Sequence, residues 1–246
     1  QADVKFAAEG SAGAMAFTSG AFGYARRDRY MRLEKTLHID REGQQIDATE
    51  STVRLIPDRD EADFLELRGG SKIIGGPDDK AMKSMSATDI NIDYADDGRT
   101  MQNATLAGNA EIELAPKQGT VGQKLAGNFM DIGLEPDGSV RSVSTRDAVT
   151  ATLPATKDAA ARTIRSTSMT AAGNAQGLNR MVFSEGVEYR EAATRTQGAR
   201  IARASSPEAS LDPSAGTLED ARFTGNFEFT DGPMRALSND ARYNVT

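Results

Sequence analysis

A register of 39 residues runs through most of this chain and limits what it can fold into. Gly69, Gly108, Asp147, Gly186 and Gly225 follow one another at that interval, and nine residues upstream stand the turn-type residues Asp60, Gly138, Gly177 and Gly216, with Gly98 out of register by one. A fixed period of this length marks stacked supersecondary units, each burying its apolar face only against its neighbours.

The segments around these positions alternate apolar and polar residues, the pattern of strands with one buried face. Ile90, Ile92 and Tyr94 alternate with Asp89, Asn91 and Asp93, and Leu106, Ala110, Ile112 and Leu114 alternate with Asn109, Glu111 and Glu113. The same reading fits Met130, Ile132 and Leu134, then Val149, Ala151 and Leu153, then Met181, Phe183, Val187 and Tyr189, and finally Phe223, Phe227 and Phe229. Turn sequences separate the strands of each unit: Asp96-Asp97-Gly98, Pro136-Asp137-Gly138, Gly173 to Gly177 and Asp212 to Gly216. In these, Pro or Asp starts the turn and Gly supplies positive φ. Upstream, Phe22 and Tyr24 with Met31, Leu33, Leu37 and Ile39 predict one hairpin, and Val53 and Leu55 with Leu65 and Leu67 predict the next. The one helix candidate, Lys157 to Ile164, is short and falls where a hairpin link belongs.

The chain therefore reads as all-β, built of about six hairpins and one extra strand. A propeller blade divides a similar period among four short strands, whereas two long strands fill it here, and the chain has no Trp for a Trp-Asp signature. A parallel β-helix would not need a hairpin turn in every unit. What remains is a bent antiparallel β-jellyroll (a β-taco) of hairpin repeats of roughly 39 residues, one face inward. Mid-strand Gly marks bends or bulges, and its recurrence at one register predicts a fold line along the stack. Asp147 departs from that rule, and Val187 and Tyr189 sit one residue off the apolar register of their neighbours, a slip that a bulge would absorb.

Composition removes several function classes. With 29 Lys and Arg against 36 Asp and Glu, a net charge of −7 and no basic run longer than Arg26-Arg27, nucleic acid is disfavoured as a partner. No cysteine means no disulfide, thiol chemistry or Cys-based metal site. No apolar run approaches the roughly 20 residues of a membrane-spanning helix, so a soluble domain is expected. The single His38 lies at the outward position of a strand, and no catalytic triad can be built on it. Asp58 to Asp63 lacks the Gly and the final Glu of a calcium loop, since the corresponding positions are Asp63 and Gly69. Gly69-Gly70 and Gly75-Gly76-Pro77 lack the Lys-Ser/Thr of a phosphate loop. The reading is of a non-enzyme without cofactor or metal.

The units "SATDINIDYADDGRTMQNATLAGNAEIEL" (Ser86 to Leu114) and "ASLDPSAGTLEDARFTGNFEFTDG" (Ala209 to Gly232), and the segment Gly23 to Ile56, resemble the repeats of the OstA-like family of lipopolysaccharide transport. That family includes LptA, LptC and the N-terminal domain of LptD. The likeness covers about residues 14 to 245 and rests on a hairpin grammar with a Gly-Asn-x-x-apolar element, clear at Gly108-Asn109 and Gly225-Asn226. It implies a periplasmic, lipid-binding β-jellyroll that holds the acyl chains of lipopolysaccharide in an apolar groove and joins other such domains end to end. Any inner-membrane anchor would lie outside residues 1–246, which are read as one domain with 1–13 as a disordered or linker N-terminus. The start at Gln1 is compatible with removal of a targeting segment, and the last strand is expected to continue into further chain.

Residues expected to line the groove are Leu33, Leu37, Val53, Leu55, Leu67 and Ile73, then Ile90, Ile92, Tyr94, Leu106, Ile112 and Leu114. They continue with Met130, Ile132, Leu134, Val149 and Met169, and end with Met181, Phe183, Tyr189, Phe223, Phe227 and Phe229. At roughly 0.8 kcal/mol per methylene, about ten buried carbons would supply on the order of 8 kcal/mol before ordering costs. Strand pairing with a further domain is expected at the last edge, through Leu237, Ala241, Tyr243 and Val245. The alternative is a structural β-repeat, a scaffold or adhesin-type stalk with a filled interior. A conduit should show an apolar cleft open at a side or an end, and a scaffold should be packed along its whole inside.

Overall fold

The structure, a computed structural model, describes residues 2–6, 15–25, 27–41, 43–57, 59, 61–75, 82–115, 122–155, 160–174, 177–194, 198–212 and 217–244. Asp58, Asp60, Gly76-Pro77, and residues 175–176 and 213–216 of two expected turns lie outside these. Among the described residues there are seventeen strands and no helix, joined in one antiparallel sheet. In chain order they are β1 (Ala2–Phe6), β2 (Met15–Ser19), β3 (Ala21–Ala25), β4 (Tyr30–Arg41), β5 (Gln44–Leu55) and β6 (Ala62–Ile74). Next come β7 (Met82–Tyr94), β8 (Met101–Leu114), β9 (Lys124–Leu134), β10 (Val140–Leu153), β11 (Arg162–Asn174) and β12 (Gly177–Ser184). The last are β13 (Val187–Glu191), β14 (Arg200–Ala204), β15 (Ser206–Asp212), β16 (Thr217–Asp231) and β17 (Met234–Asn244).

From β4 to β11 each strand pairs with the next. The short strands lie end to end along a long neighbour: β2 and β3 along β4, β12 and β13 along β11, and β14 and β15 along β16. The meander closes with β17 against β16. At the other end, residues 2–6, expected within a linker, pair with β2 as β1.

Half-way along alternate strands, two consecutive residues adopt positive φ. The pairs are Lys35-Thr36, Gly69-Gly70, Gly108-Asn109, Asp147-Ala148, Glu185-Gly186 and Gly225-Asn226. Pairing slips there, between Glu34 and Leu37, Arg68 and Ser71, Ala107 and Ala110, Arg146 and Val149, and Thr224 and Phe227. An unpaired residue in the left-handed region bends an extended chain, and bends aligned from strand to strand crease the sheet along one line. Two irregularities of the sequence pattern resolve here. Asp147 takes the bent conformation without being Gly, and in β12–β13 the pair begins at Glu185, one residue early, which shifts Val187 and Tyr189.

At two places on this line space as well as φ favours Gly. A Cβ on Gly108, at φ +79, would stand 2.6 Å from Oγ1 of Thr88 on the neighbouring strand, and one on Gly69, at φ +80, 2.7 Å from Oγ1 of Thr49.

On either side of the crease the inner faces are apolar. Leu67 and Ile73 in β6, Ile90 and Met85 in β7, and Leu106 and Ile112 in β8 come from opposite sides of it, and none is more than 2% exposed. A single sheet layer leaves its apolar face in water, so burial this complete means that the two halves lie face to face. The outer faces carry cross-strand ion pairs, among them Lys83–Glu113 at 2.9 Å, Lys124–Glu111 at 3.1 Å and Arg54–Asp63 at 2.8 Å. Exposed pairs add little stability, but they disfavour a one-residue slip that would carry charge into the core. The turn at Asp96 to Gly98 forms as expected. Oδ1 of Asp97 accepts hydrogen bonds from the backbone N–H of Arg99 and Thr100, both at 2.8 Å, and Gly98 has φ +64.

Candidate functional site

The candidate site is the space between the two half-sheets, with the margins and edges that give access to it. Every expected lining residue from Leu33 to Phe229 is buried or half-buried. All but Leu55, which is buried apart from it, belong to or pack against a single apolar cluster. Ile90, Leu106, Ile112 and Met130 are fully buried, and Leu134, Val140 and Leu153 are buried although they stand at strand ends. Half-buried apolar residues packed against the cluster are Val53, Met82, Tyr94, Met101, Leu114, Phe229 and Ala241. The interior is thus shut at the crease and along the ends of β9 and β10, and looser at those half-buried positions. Met82 and Met101 were not singled out in the sequence, because each stands outside the apolar alternation of its strand.

The lining changes character along the stack. It is mostly aliphatic from β4 to β11, while the C-terminal strands contribute a run of aromatic rings. Tyr189, Phe223, Phe227 and Phe229 follow one another at centroid distances of 6.4, 5.3 and 6.5 Å. On the inner face near the crease the Thr145 hydroxyl donates to the Phe129 carbonyl at 2.9 Å, whereas the buried Ser51 hydroxyl has no hydrogen-bond partner among the described residues.

One inner-face row is charged. Register places Arg162 of β11 opposite Glu191 of β13, Glu191 opposite Arg200 of β14, and Arg200 opposite Asp231 of β16. Arg162 and Glu191 are both buried, yet Nε of Arg162 stands 4.0 Å from the Glu191 carboxylate and has no hydrogen-bond partner among the described residues. The Tyr189 hydroxyl donates to that carboxylate at 3.2 Å. Nε of Arg200 donates to Asp231 at 2.9 Å, with both side chains about a quarter exposed. Apolar alternation could not reveal this row, since it marks only the hydrophobic members of a face.

At the C-terminal edge, β17 pairs only with β16 among the described residues, and its side chains from Met234 to Asp240 are exposed. Leu237, 68% exposed, lies opposite Glu228 on the outer face, whereas Ala241 and Tyr243 lie opposite the inward Phe223 and Ala221. The slip between Thr224 and Phe227 separates them, so Leu237 does not share a face with Ala241. Val245 and the Tyr243 side chain lie outside the described residues. At the other end β3 pairs only with β4 among the described residues, and its exposed Phe22 and Tyr24 stand opposite Leu33 and Met31.

An outer-face hollow of about 470 Å³ is lined by Glu208, Asp220, Arg222, Asp240 and Arg242. Arg222 meets Asp240 at 2.8 Å and Arg242 meets Asp220 at 3.0 Å, and the bond from Arg222 holds the Asp240 carboxyl below its usual range. Glu208 pairs with Arg180 at 2.6 Å, so these solvated carboxylates all have cationic partners. His38 is exposed, with Nδ1 2.7 Å from Asp47. Among the described residues no group of three or more His, Cys, Asp or Glu is placed to hold a metal ion, and no helix is long and apolar enough to cross a membrane. Comparison of the sequence with models of known protein families and with curated proteins gives no match.

Proposed function

We propose that this chain shields the acyl chains of a lipid between its two half-sheets, lipopolysaccharide being the cargo that the family resemblance implies. In this reading it is a non-enzymatic periplasmic bridge component that passes lipid along a series of β-jellyroll domains joined through edge strands. The observation that carries the proposal is the set of half-buried apolar residues at the margins. The interior is apolar almost throughout and closed at the crease, and Val53, Met82, Tyr94, Met101, Leu114 and Phe229 near strand ends stay half-buried, while Leu134, Val140 and Leu153 close the ends of β9 and β10. A lipid chain laid along those margins buries methylenes at roughly 0.8 kcal/mol each and meets few polar groups. The exposed β17 supports the end-to-end joint, because an unpaired edge offers its backbone N–H and C=O groups to an added strand.

A second reading, the structural scaffold with a filled interior, draws on the complete burial of Ile90, Leu106, Ile112 and Met130. The two differ in whether the margins part to admit a chain. Native mass spectrometry of the delipidated protein with added lipopolysaccharide separates them. A lipid adduct that Tyr94→Glu and Leu114→Glu both abolish, and that the outward Asp93→Ala leaves intact, supports shielding; no adduct with any variant supports the scaffold.

A further inference from the structure

We infer that the charged inner-face row at the C-terminal margin seats an anionic, phosphate-bearing headgroup of the lipid, while the chains lie along the apolar margin beside it. The inference deepens the shielding reading and rests on it.

The row is a local departure from the pattern of the fold. Continuing the strand register along the same margin, β7, β8 and β10 present Met82, Leu114 and Leu153, with Gln123 in the place between the last two; all four are uncharged and at least half-buried. The next strands put Arg162, Glu191, Arg200 and Asp231 in the equivalent places. Ionisable groups cost more on this face than on the outer one, and four consecutive substitutions of this kind are not needed to close a sheet.

Nor is Arg162 arranged as a structural ion pair. Elsewhere this chain builds close Arg–carboxylate pairs: Arg203 meets Glu188 at 2.6 Å, and Arg242 reaches both oxygens of Asp220 at 3.1 and 3.0 Å. Arg162 is far more buried than either arginine, yet its nearest carboxylate among the described residues is 4.0 Å from Nε, and Glu191 takes the Tyr189 hydroxyl. A buried guanidinium nitrogen without a partner calls for an acceptor. The planar fork of Arg suits phosphate, which can accept two parallel bonds from it. Arg200, opposite Glu191 in the same row and a quarter exposed, supplies a second cation reachable from the margin. Phe227 and Phe229, their rings stacked at 6.5 Å on the inner face of β16, give the first methylenes below the headgroup an apolar seat.

The test compares dioleoyl phosphatidic acid with dioleoylglycerol, which has the same chains and no phosphate, by native mass spectrometry with inorganic phosphate as a third probe. The expected result is a preference of about tenfold for the phosphatidic acid, the size of one charge-assisted hydrogen bond. Arg162→Gln should erase that preference while binding of dioleoylglycerol persists, and Glu191→Gln, which removes the competing carboxylate, should enlarge it. Should Arg162→Gln fail to fold, Arg200→Gln and Glu191→Gln carry the same comparison. Equal binding of the two lipids, or a folded Glu191→Gln with an unchanged preference, overturns the headgroup inference and leaves shielding standing. Binding of inorganic phosphate as tight as that of phosphatidic acid also overturns it, since the row would then be an ion site. Binding of neither lipid overturns the shielding reading itself.

Discussion

Replacing Gly108 with Ala probes the crease that defines this fold, and its cost can be worked from the structure. Gly108 sits at φ +79, where an L residue with a Cβ loses about 1–2 kcal/mol relative to the right-handed region. The new Cβ would also lie 2.6 Å from Oγ1 and 2.9 Å from Cβ of Thr88, inside van der Waals contact on the adjacent strand. Relieving that overlap by shifting backbone costs a further 1–3 kcal/mol or so, for a total of about 2–5 kcal/mol. Gly70 supplies the control. It has φ +71 but nothing within 4 Å of an added Cβ, so Gly70→Ala should cost only the conformational part. Urea unfolding followed by circular dichroism measures both. Adding Thr88→Ala to Gly108→Ala should recover at least about 1 kcal/mol as a coupling energy. If Gly108→Ala cost no more than Gly70→Ala, or if Thr88→Ala recovered nothing, the assignment of the crease to crowded, left-handed backbone would be wrong.

Ala148, exposed at φ 61 in the same crease, gives the converse: Ala148→Gly should stabilise the protein by about 1 kcal/mol in the same assay, and a loss would contradict the bent conformation there. Ile112→Ala, which empties a fully buried site between the half-sheets, should cost about 2–5 kcal/mol, whereas Leu237→Ser on the exposed outer face of β17 should stay within about 0.5 kcal/mol. Acid should weaken the fold through Glu113, whose carboxyl is held below its ordinary value of 4.5 chiefly by the hydrogen bond from Lys83. A lowered folded-state pKa gives stability that is present above about pH 4.5 and lost as pH falls through the folded value. Lys83→Met should therefore flatten the loss of stability below that pH, and an unchanged profile would refute the role of this pair.

The fold was largely legible because its main device is periodic. Gly69, Gly108 and Gly225 announce the crease through a residue type that backbone geometry demands, and the alternation in β7 and β8 reports which face is buried. Legibility failed where geometry does not need a special residue. Lys35-Thr36 makes the same bend without Gly and only 34 residues before Gly69, so neither composition nor period betrays it. Likewise, the slip at Gly225-Asn226 moves Leu237 to the outer face, although simple alternation groups it with Ala241 and Tyr243. The candidate interior could be read from apolar alternation, but not its closure at the crease, which depends on how far the two halves approach. The row of Arg162, Glu191, Arg200 and Asp231 was hidden because its members come from four strands and lie inward only by register.

The central claim, that lipid chains occupy the margin between the half-sheets, is tested most directly by photocrosslinking from single positions in the presence of lipopolysaccharide. Probes at Tyr94, Leu114 and Phe229 face inward at the loosened margins, while Asp93, Glu111 and Glu228 stand one to three residues away on the outer faces of the same strands. The account predicts lipid adducts from the first three and none from the last three. Adducts from both sets alike, or from neither, would contradict it.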